Sequence, residues 1–253
     1  MRVFPLCIIV WVAGIPAIGQ KAKKEKESYY VYDSLWNSCQ IENAKYLAYV
    51  QEFDDTIYRW NFYRFTGSLL SVETYRDKDA KIPNGYFAWY DANGIVDSSG
   101  YSINGKKDGD WYTFNDTLAA IMKREYSNGT LLKTIDYNDP SYKKQTNLSD
   151  TLPGDKEADF KGGVKAWIKY LEKNYQFPSR ALSMNKYGKV MVQFIIDTTG
   201  KVADPKIVVS VEFSLDQEAL RLIKESSSWT PGTRNGQKVN AYRRQPITFA
   251  RPE

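Results

Sequence analysis

The fold of the C-terminal part of the chain is decided by residues 188–211, which read GKVMVQFIIDTTGKVADPKIVVSV. Apolar residues occupy every second position on both sides of a polar centre: Val190, Val192, Phe194 and Ile196 before it, and Ile207, Val209 and Val211 after it. This two-residue period is typical of strands with one buried face. The central residues 197–200, Asp-Thr-Thr-Gly, favour a turn. The stretch therefore predicts a β-hairpin.

Two helices and a last strand are predicted around this hairpin. After it, Ser214 and Gln217 have the spacing of a capping box, which favours a helix that Pro231 and Gly232 would end. Before it, apolar residues recur at the spacing of an amphipathic helix that Pro178 ends. The apolar residues are Val164, Trp167, Ile168, Leu171 and Tyr175 in the first helix, Leu215, Ala219, Leu222 and Ile223 in the second, and Val239, Ala241, Ile247 and Phe249 in the last strand.

The order of these residues resembles the C-terminal domain of TonB, the periplasmic protein that energises outer-membrane transporters in Gram-negative bacteria. Many ordered matches are far more specific than any single motif. The matching segments are Phe160-x-Gly162-Gly163, as in TonB-like proteins of Bacteroidetes type, Gly188-x-Val190-x-Val192-x-Phe194-x-Ile196-Asp197-x-x-Gly200-x-Val202, Leu215-Asp216-x-Glu218-Ala219-Leu220-Arg221, Trp229-x-Pro231-Gly232 and Pro246-Ile247-x-Phe249. Phe177 departs from the pattern, because a tyrosine is usual before the proline. The resemblance implies a small α+β domain with a helix, a β-hairpin, a helix and an edge strand.

A peptide-binding edge is predicted at the last strand. Pro246 lies inside its alternating run, and proline is tolerated in sheets only at an edge strand or a bulge. We therefore expect residues 239–249 to form an edge, which can accept an extended peptide as an added strand. The alternative is that Arg243, Arg244 and Pro246 only protect this edge against aggregation. On the binding interpretation, Ala241→Pro would remove a backbone donor that the peptide needs.

The resemblance implies a ligand for this edge, the TonB box, which is a short N-terminal segment of outer-membrane transporters. In the family the last strand pairs with that segment, and a Gln-Tyr-Pro segment lies alongside it. The implied peptide-binding residues are Tyr175, Gln176, Phe177, Pro178, Val239, Asn240, Ala241, Tyr242, Arg243, Arg244 and Ile247.

An aromatic repeat precedes this region. Residues 85–90, GYFAWY, recur 24 residues later as GDWYTF, and Asn104-Gly105 recurs as Asn128-Gly129. Asn-Gly pairs favour two-residue hairpin turns, so the repeat unit is built from strands. We expect each unit to stack on the next to bury its aromatic face. The repeats resemble those of YwqK-type antitoxin-like proteins, which are related to MORN repeats, and the resemblance implies an all-β domain.

The N-terminus has the features of a secretory signal peptide. Arg2 precedes an apolar run from Val3 to Ile18, and small residues lie near Gly19. An uncleaved membrane anchor is the alternative, but the run is shorter than the ~20 residues that a spanning helix needs, and lysines follow it rather than precede it. Cleavage would leave Cys39 as the only cysteine of a periplasmic protein. The predicted segments are a signal peptide (1–19), a charged tether (20–28), a β-repeat domain (29–138), a linker (139–157) and a TonB-like domain (158–253).

Composition argues against catalysis and nucleic-acid binding. The chain of 253 residues has no histidine, which excludes Ser-His-Asp catalysis and histidine-containing metal sites. The acidic pairs Asp54-Asp55 and Asp108 with Asp110 are better explained by turns than by acid–base chemistry. The net charge of +5 comes from basic residues that alternate with acids and form no cluster. We expect no enzyme activity, no cofactor and no metal.

Two functions are compatible with these features. The first is a periplasmic TonB-like protein that binds the TonB box of outer-membrane transporters in energy transduction. The second is a scaffolding protein of the cell envelope that uses the repeats and a peptide-binding edge without transducing energy. The resemblance also leaves open contact with an inner-membrane proton-driven motor complex, and a homodimer. Because the apolar N-terminal run is short and interrupted by prolines, we expect a protein that cannot energise transport unaided.

Overall fold

The computed structural model describes residues 26–54, 56–145, 155–226 and 229–251 of the chain. The predicted signal peptide and residues 20–25 of the predicted tether lie outside the described residues. The described chain is a mixture of strands and short helices, with a large antiparallel sheet followed by a smaller α+β unit. The predicted α+β class therefore holds in its coarse form.

The described N-terminal part forms one nine-stranded sheet in which every strand pairs with its sequence neighbours. Its strands are β1 (Lys26–Tyr32), β2 (Tyr46–Asp54), β3 (Ile57–Arg64), β4 (Leu69–Tyr75), β5 (Pro83–Tyr90), β6 (Val96–Ile103), β7 (Lys106–Phe114), β8 (Ala120–Ser127) and β9 (Thr130–Asp136). A single turn of 3₁₀ helix, Ile41–Asn43, lies between β1 and β2. Strand β1 begins at Lys26, inside the predicted tether.

The two Asn-Gly pairs form the hairpin turns that their sequence predicts. Asn104 and Gly105 have φ values of 48° and 84°, and Asn128 and Gly129 have 49° and 87°. Two consecutive residues with positive φ match the right-handed twist of the flanking strands. Neighbouring repeat units contact each other, and the rings of Trp89 and Trp111, one from each unit, stack at 5.9 Å. Successive units lie side by side in one sheet, because the backbone of each unit hydrogen-bonds to the next.

The C-terminal part is built on a three-stranded antiparallel sheet in the order β12-β11-β16. Its elements are β10 (Asp159–Phe160), α2 (Gly163–Asn174), α3 (Ser179–Ser183), β11 (Gly188–Ile196), β12 (Val202–Val209), α4 (Phe213–Glu225), β13 (Trp229–Thr230), β14 (Gly232–Arg234), β15 (Gln237–Val239) and β16 (Ala241–Phe249). A short helix α1 (Pro140–Gln145) lies within the predicted linker. The predicted hairpin is β11 with β12, and its alternating side chains from Val190 to Ile196 are buried.

Four local features differ from the sequence predictions. Glu212, not Ser214, caps helix α4, and its side chain accepts a hydrogen bond from the Ser214 backbone N–H. That helix ends at Glu225, well before Pro231. The last alternating run is two strands, β15 and β16, with Asn240 between them. Helix α3 was not predicted, because five residues are too few for an amphipathic period.

The two parts share one hydrophobic core. Buried residues of the nine-stranded sheet, such as Tyr63, Leu69 and Tyr90, belong to the same cluster as Val192 and Leu222 of the C-terminal part. We call the face of the nine-stranded sheet that carries these residues the inner face. The ring of Phe213, at the start of α4, contacts inner-face tyrosines at centroid distances of 5.9 Å (Tyr29), 5.2 Å (Tyr49) and 5.3 Å (Tyr63).

Hydrogen bonds fix the docking of the two parts. The Tyr90 hydroxyl donates to the carbonyl of Ile207 over 2.6 Å, and the Leu69 N–H donates to Ser210 Oγ over 2.8 Å. The Ser210 N–H donates to the carbonyl of Gly94, also over 2.8 Å. Because these groups are buried or nearly so, leaving one unpaired would cost about 1–3 kcal/mol. The nine-stranded sheet is therefore part of the environment of the C-terminal unit.

Candidate functional site

Strand β16 is an edge strand, as Pro246 predicted. In the described residues it pairs with β11 alone, in an unbroken antiparallel register from Gly188↔Phe249 to Ile196↔Ala241. Its other side carries a row of backbone groups that face no strand in the part of the chain described. This open side is the feature that strand addition requires.

Pro246 shows which backbone groups point to the open side. Proline has no N–H, and the register continues without a bulge on both sides of the Met191↔Pro246 pair. The nitrogen of Pro246 therefore faces away from β11. In a strand, alternate residues direct their backbone groups to the same side, so the outward-facing groups belong to Tyr242, Arg244, Pro246 and Thr248.

This geometry corrects the expectation for Ala241→Pro. Ala241, which pairs with Ile196, lies five positions before Pro246 in the same unbroken register. Because backbone directions alternate along the strand, its N–H faces β11. Proline at this position would break the pairing of β16 with β11 instead of removing a donor from the open side. The residue that tests the open side is Arg244, in the middle of the strand.

The side chains of β16 differ in what they can offer a ligand. Ile247 is 1% exposed and packs in the core, and its backbone N–H and C=O face β11. The guanidinium of Arg243 donates to the Ala158 carbonyl over 2.8 Å and to Asp159 Oδ1 over 3.2 Å. Tyr242 is 53% exposed and lies on the opposite face of the strand. The structure therefore does not bring the Ile247 side chain to the open side of β16.

Arg244 is held at both ends of its guanidinium. Its Nε donates to Gln193 Oε1 over 2.8 Å, and its Nη1 donates over 3.0 Å to the Leu118 carbonyl in the turn between β7 and β8. The second bond joins β16 to the nine-stranded sheet. Arg244 is therefore tied to the protein rather than extended into solvent.

Val239 and Asn240 lie apart from the edge. Val239 pairs with Gly232 in the small β14–β15 hairpin, and Asn240 connects that hairpin to β16. The predicted strand 239–249 therefore begins at Ala241, and the structure does not bring these two residues onto the open side of β16.

The segment before Pro178 meets the other end of β16. The rings of Tyr175 and Phe177 lie 5.4 Å and 6.3 Å from the ring of Phe249. Tyr175 closes the end of helix α2, and Pro178 precedes helix α3. The structure thus brings together Tyr175, Phe177 and the end of β16, which the sequence places about 70 residues apart.

A charged clamp on helix α4 fixes the backbone of this segment. Glu218 accepts a hydrogen bond from the Gln176 N–H over 2.9 Å and two from Arg221 over 2.7 Å each. Arg221 in turn donates to the Asn174 carbonyl over 2.7 Å. The hydrogen bonds with Glu218 raise the pKa of Arg221 above its ordinary value. The clamp positions Tyr175 between two anchored peptide groups.

Sequence reasoning did not assign a role to this clamp, although both residues stand in the matched segment from Leu215 to Arg221. The i, i+3 spacing of Glu218 and Arg221 was the available signal. That spacing alone predicts a surface ion pair. The contact with residues 174–176 depends on how α2 and α4 pack, and no local pattern shows it.

A cluster of two buried carboxyl groups lies where α4 meets the nine-stranded sheet. Glu212 is fully buried and accepts hydrogen bonds from Arg180 Nε over 2.6 Å and from the Ser214 hydroxyl over 2.6 Å. Arg180 also donates to the Phe65 carbonyl and stacks 4.9 Å from the Phe65 ring centroid. Arg180 therefore ties α3, the start of α4 and the turn between β3 and β4.

Asp216 forms the other half of this cluster. It has no exposed surface and accepts hydrogen bonds from the Ser210 hydroxyl over 2.5 Å and the Val211 N–H over 3.1 Å. Burial raises the pKa of Asp216 from 3.8 to about 8, although these hydrogen bonds oppose the shift. Because Ser210 also accepts from Leu69, a chain of hydrogen bonds runs from the nine-stranded sheet to α4.

The acidic residues that raised the possibility of catalysis have structural partners. Asp108 accepts from the Asn128 N–H over 2.9 Å, and Asp110 pairs with Lys123 over 3.0 Å. The side chains of Asp54 and Asp55 are outside the description. Among the described residues, no cluster of histidine, cysteine and carboxylate ligands could hold a metal ion. Desolvation, then the charge of Asp33, raises the pKa of the Cys39 thiol and disfavours the reactive thiolate.

The comparisons with known proteins agree with the C-terminal architecture. Residues 173–250 match the family model described as the Gram-negative bacterial TonB protein C-terminal, which is 78 of the 253 residues. No curated protein and no solved structure shows significant similarity to the chain. The matched family is a non-enzymatic protein-interaction domain of the cell envelope. Within the described residues, we find no helix with the length and hydropathy of a membrane span.

Proposed function

We propose that the TonB-like unit binds the TonB-box segment of an outer-membrane TonB-dependent transporter by adding it as a strand to the open edge of β16. The observation that carries the proposal is that edge, whose outward-facing backbone groups pair with no strand in the described chain. The family match to residues 173–250 supports a transporter as the kind of partner and energy transduction or transport as the kind of process.

The peptide would gain its affinity from backbone hydrogen bonds and its orientation from the two ends of β16. At the end near Phe249, Tyr175 and Phe177 present a half-buried aromatic cluster that the Glu218–Arg221 clamp holds in place. At the other end, the β14–β15 hairpin adjoins Ala241, and a Cβ on Gly232 would lie 3.1 Å from the Ala241 Cβ. Main-chain pairing with a few fixed side-chain contacts is the usual chemistry of strand addition.

The proposed place of action is the periplasm. A cleaved signal peptide at residues 1–19 would release a protein that begins near Gln20, with the nine-stranded sheet between its N-terminus and the TonB-like unit. Such a protein binds transporters and transmits force only through an anchored partner, for example an inner-membrane proton-driven motor complex. A protein that retains residues 1–19 in the inner membrane would instead act as a transducer directly. Intact-mass analysis of the protein from a Gram-negative host separates these two forms.

A second candidate function is a non-transducing interaction protein of the cell envelope. The observation that favours it is the exposure of aromatic rings on the nine-stranded sheet and its β1–β2 connection: Trp89 is 39% exposed, Tyr30 is 46% exposed, and Trp36 in the connection is 47% exposed. In this role the sheet would hold one partner and β16 another.

Strand addition is tested at Arg244. Arg244→Pro and Arg244→Ala both lose the bonds to Gln193 and Leu118, but only the proline variant also loses the outward-facing N–H. We expect Arg244→Ala to bind a synthetic TonB-box peptide nearly as the unchanged protein does, and Arg244→Pro to bind at least roughly tenfold more weakly in calorimetric titration. Equal affinities for the two variants would show that the peptide binds elsewhere.

A further inference from the structure

The small sheet lies face to face on the inner face of the nine-stranded sheet, with its strands in a fixed order over the larger one. Strand β12 lies over β5 and β6, since Lys206 Nζ donates to the Tyr101 hydroxyl over 2.9 Å and lies 4.3 Å from the Tyr86 ring centroid. Strand β16 lies over β7 and the turn that follows it, where Arg244 binds the Leu118 carbonyl. The order β12-β11-β16 thus runs in the direction from β5 to β7.

Contacts along β12 and β16 relate the ends of the two sheets. Along β12, Val209 forms a bridge with Ile95 at one end of the nine-stranded sheet, while Lys206 reaches Tyr101 farther along. On β16, Arg244 is level with Lys206, and its side chain reaches the turn that contains Leu118, at the same end as Ile95. Two sheets that pack face to face lie about 10 Å apart.

The nine-stranded sheet continues beyond the open edge of β16. Strands β8 and β9 follow β7 in the sheet, and neither pairs with a strand of the small sheet in the described chain; the ring of Tyr142 in α1 lies 5.2 Å from the ring of Tyr137, just after β9. Tyr112, Lys123 and Ile135 lie directly opposite one another on β7, β8 and β9, so they share one face. That face is the inner one, because Tyr112 lies opposite Ser99 on β6, and Ser99 lies opposite Ala88 of the shared core. We call Tyr112, Lys123, Ile135 and Tyr137 the wall.

We propose that the wall is a second binding surface for the peptide that adds to β16, and that it selects aliphatic side chains. This inference rests on the proposed function, because it takes the strand added to β16 as its occupant. A strand paired with β16 would lie about 4.8 Å farther out, on the side of β8 and β9. Its alternate side chains point toward the inner face and so reach the wall.

The chemistry of the wall fits aliphatic side chains. Ile135, Tyr112 and Tyr137 are only partly buried, so they have apolar surface that a ligand can cover. The charge of Lys123 is paired with Asp110 over 3.0 Å, and the Tyr112 hydroxyl donates to the same carboxylate over 3.0 Å. An acidic or basic side chain placed here would have to displace this pairing, whereas an aliphatic one only covers the rings.

Charge placed on each face of β9 tests the wall. Ile135→Glu adds a carboxylate to the wall, and Thr134→Glu adds the same group to the exposed opposite face of the same strand. We expect Ile135→Glu to weaken binding of a synthetic TonB-box peptide by roughly tenfold and Thr134→Glu to leave it unchanged. Melting curves of the full-length variants, followed by circular dichroism, show whether each one is folded.

The unchanged protein provides a second measurement that needs no folded variant. TonB-box peptides that carry a photoreactive side chain at successive positions should label β8 and β9 at every second position, as read by mass spectrometry. Labelling confined to β16, α2 and α3 would contradict the proposal that the wall binds the peptide. Equal binding by Ile135→Glu and the unchanged protein would also contradict the proposal that the wall binds the peptide. If Arg244→Pro still loses binding in that case, strand addition to β16 would be supported without a role for the wall. If the unchanged protein binds no TonB-box peptide, both proposals fail.

Discussion

The side chain of Arg180 donates to Glu212 over 2.6 Å, and the carboxylate it reaches has no exposed surface. The two residues lie on different elements, α3 and the N-cap of α4, and Arg180 also binds the carbonyl of Phe65 in the nine-stranded sheet. One guanidinium therefore joins three parts of the fold. The effect of removing it depends on the burial of Glu212, because a buried charge without its partner is costly.

We expect Arg180→Ala to lower the free energy of unfolding by about 3–5 kcal/mol, the cost typical of a broken buried ion pair. Urea denaturation of the full-length protein measures it. Lys224→Ala is the matched control, because Lys224 is an exposed cation on α4 and its loss should change little. A loss below about 1 kcal/mol for Arg180→Ala would mean that the pair behaves like an exposed one.

Asp216 predicts how stability depends on pH. Its pKa is about 8 in the folded protein, and in the unfolded chain it has the ordinary value of 3.8. Between these two pH values the folded protein therefore binds one more proton than the unfolded chain. Its contribution is therefore complete below about pH 4 and is lost as the pH rises toward 8, with a slope of at most about 1.4 kcal/mol per pH unit.

We expect Asp216→Asn to remove this term, because an amide cannot ionise. Urea denaturation at intervals between pH 5 and pH 8 should then show a shallower decline in the variant than in the unchanged protein. Asp197 offers a contrast, since its hydrogen bonds lower its pKa and give it no such decline in this range. Parallel curves for the Asp216 variant and the unchanged protein would contradict the shifted pKa.

Glu218→Gln tests the clamp on residues 174–176. The substitution weakens the charged pair with Arg221 and the bond from the Gln176 N–H. We expect faster hydrogen exchange at the Gln176 amide and weaker binding of a TonB-box peptide. Glu225→Gln is the control, because Glu225 also pairs with Arg221 but is 55% exposed and has no hydrogen bond to this segment among the contacts described. Equal exchange at Gln176 in both variants would show that the clamp does not hold the segment.

Gly94→Ala tests the docking of the two parts. A Cβ at this position would lie 2.4 Å from the Ser210 carbonyl oxygen and 2.6 Å from the Ser68 Cβ, and the residue has a φ of +77°. We expect a loss of about 1–3 kcal/mol from backbone strain, plus a larger loss from the clash. Gly105→Ala has a similar φ of +84° but no atom within 4 Å of its Cβ, so it isolates the strain. Identical melting temperatures for the two variants would mean that the interface adjusts freely.

Local signals predicted much of the fold. The alternation from Val190 to Ile196 predicted β11, and the Asn104-Gly105 and Asn128-Gly129 pairs predicted two hairpin turns. Pro246 predicted the edge strand, because a single missing N–H restricts where a strand can lie. Each of these depends on neighbours within a few residues.

Features that depend on distant residues were not predicted. Ser214 resembles an N-cap in isolation, but the backbone and the Arg180 side chain select Glu212 for that position. The docking bond between Leu69 and Ser210 joins residues 141 positions apart, and no periodicity shows such a contact. For the same reason, the sequence showed an edge strand without showing the wall that lies beside it.

The order of strands also bears on when the molecule becomes able to bind. Each strand of the nine-stranded sheet pairs with its immediate neighbours in sequence, so this sheet can assemble while the rest of the chain is still being synthesised. The small sheet cannot, because β11 at its centre must wait for β16, some 50 residues later. Until then Tyr63, Leu69 and Tyr90 have no cover, and chains interrupted before Ala241 remain exposed to chaperones and proteases. Under the proposed function, only molecules that have been exported as far as Phe249 can occupy a transporter, so unfinished chains do not compete for it.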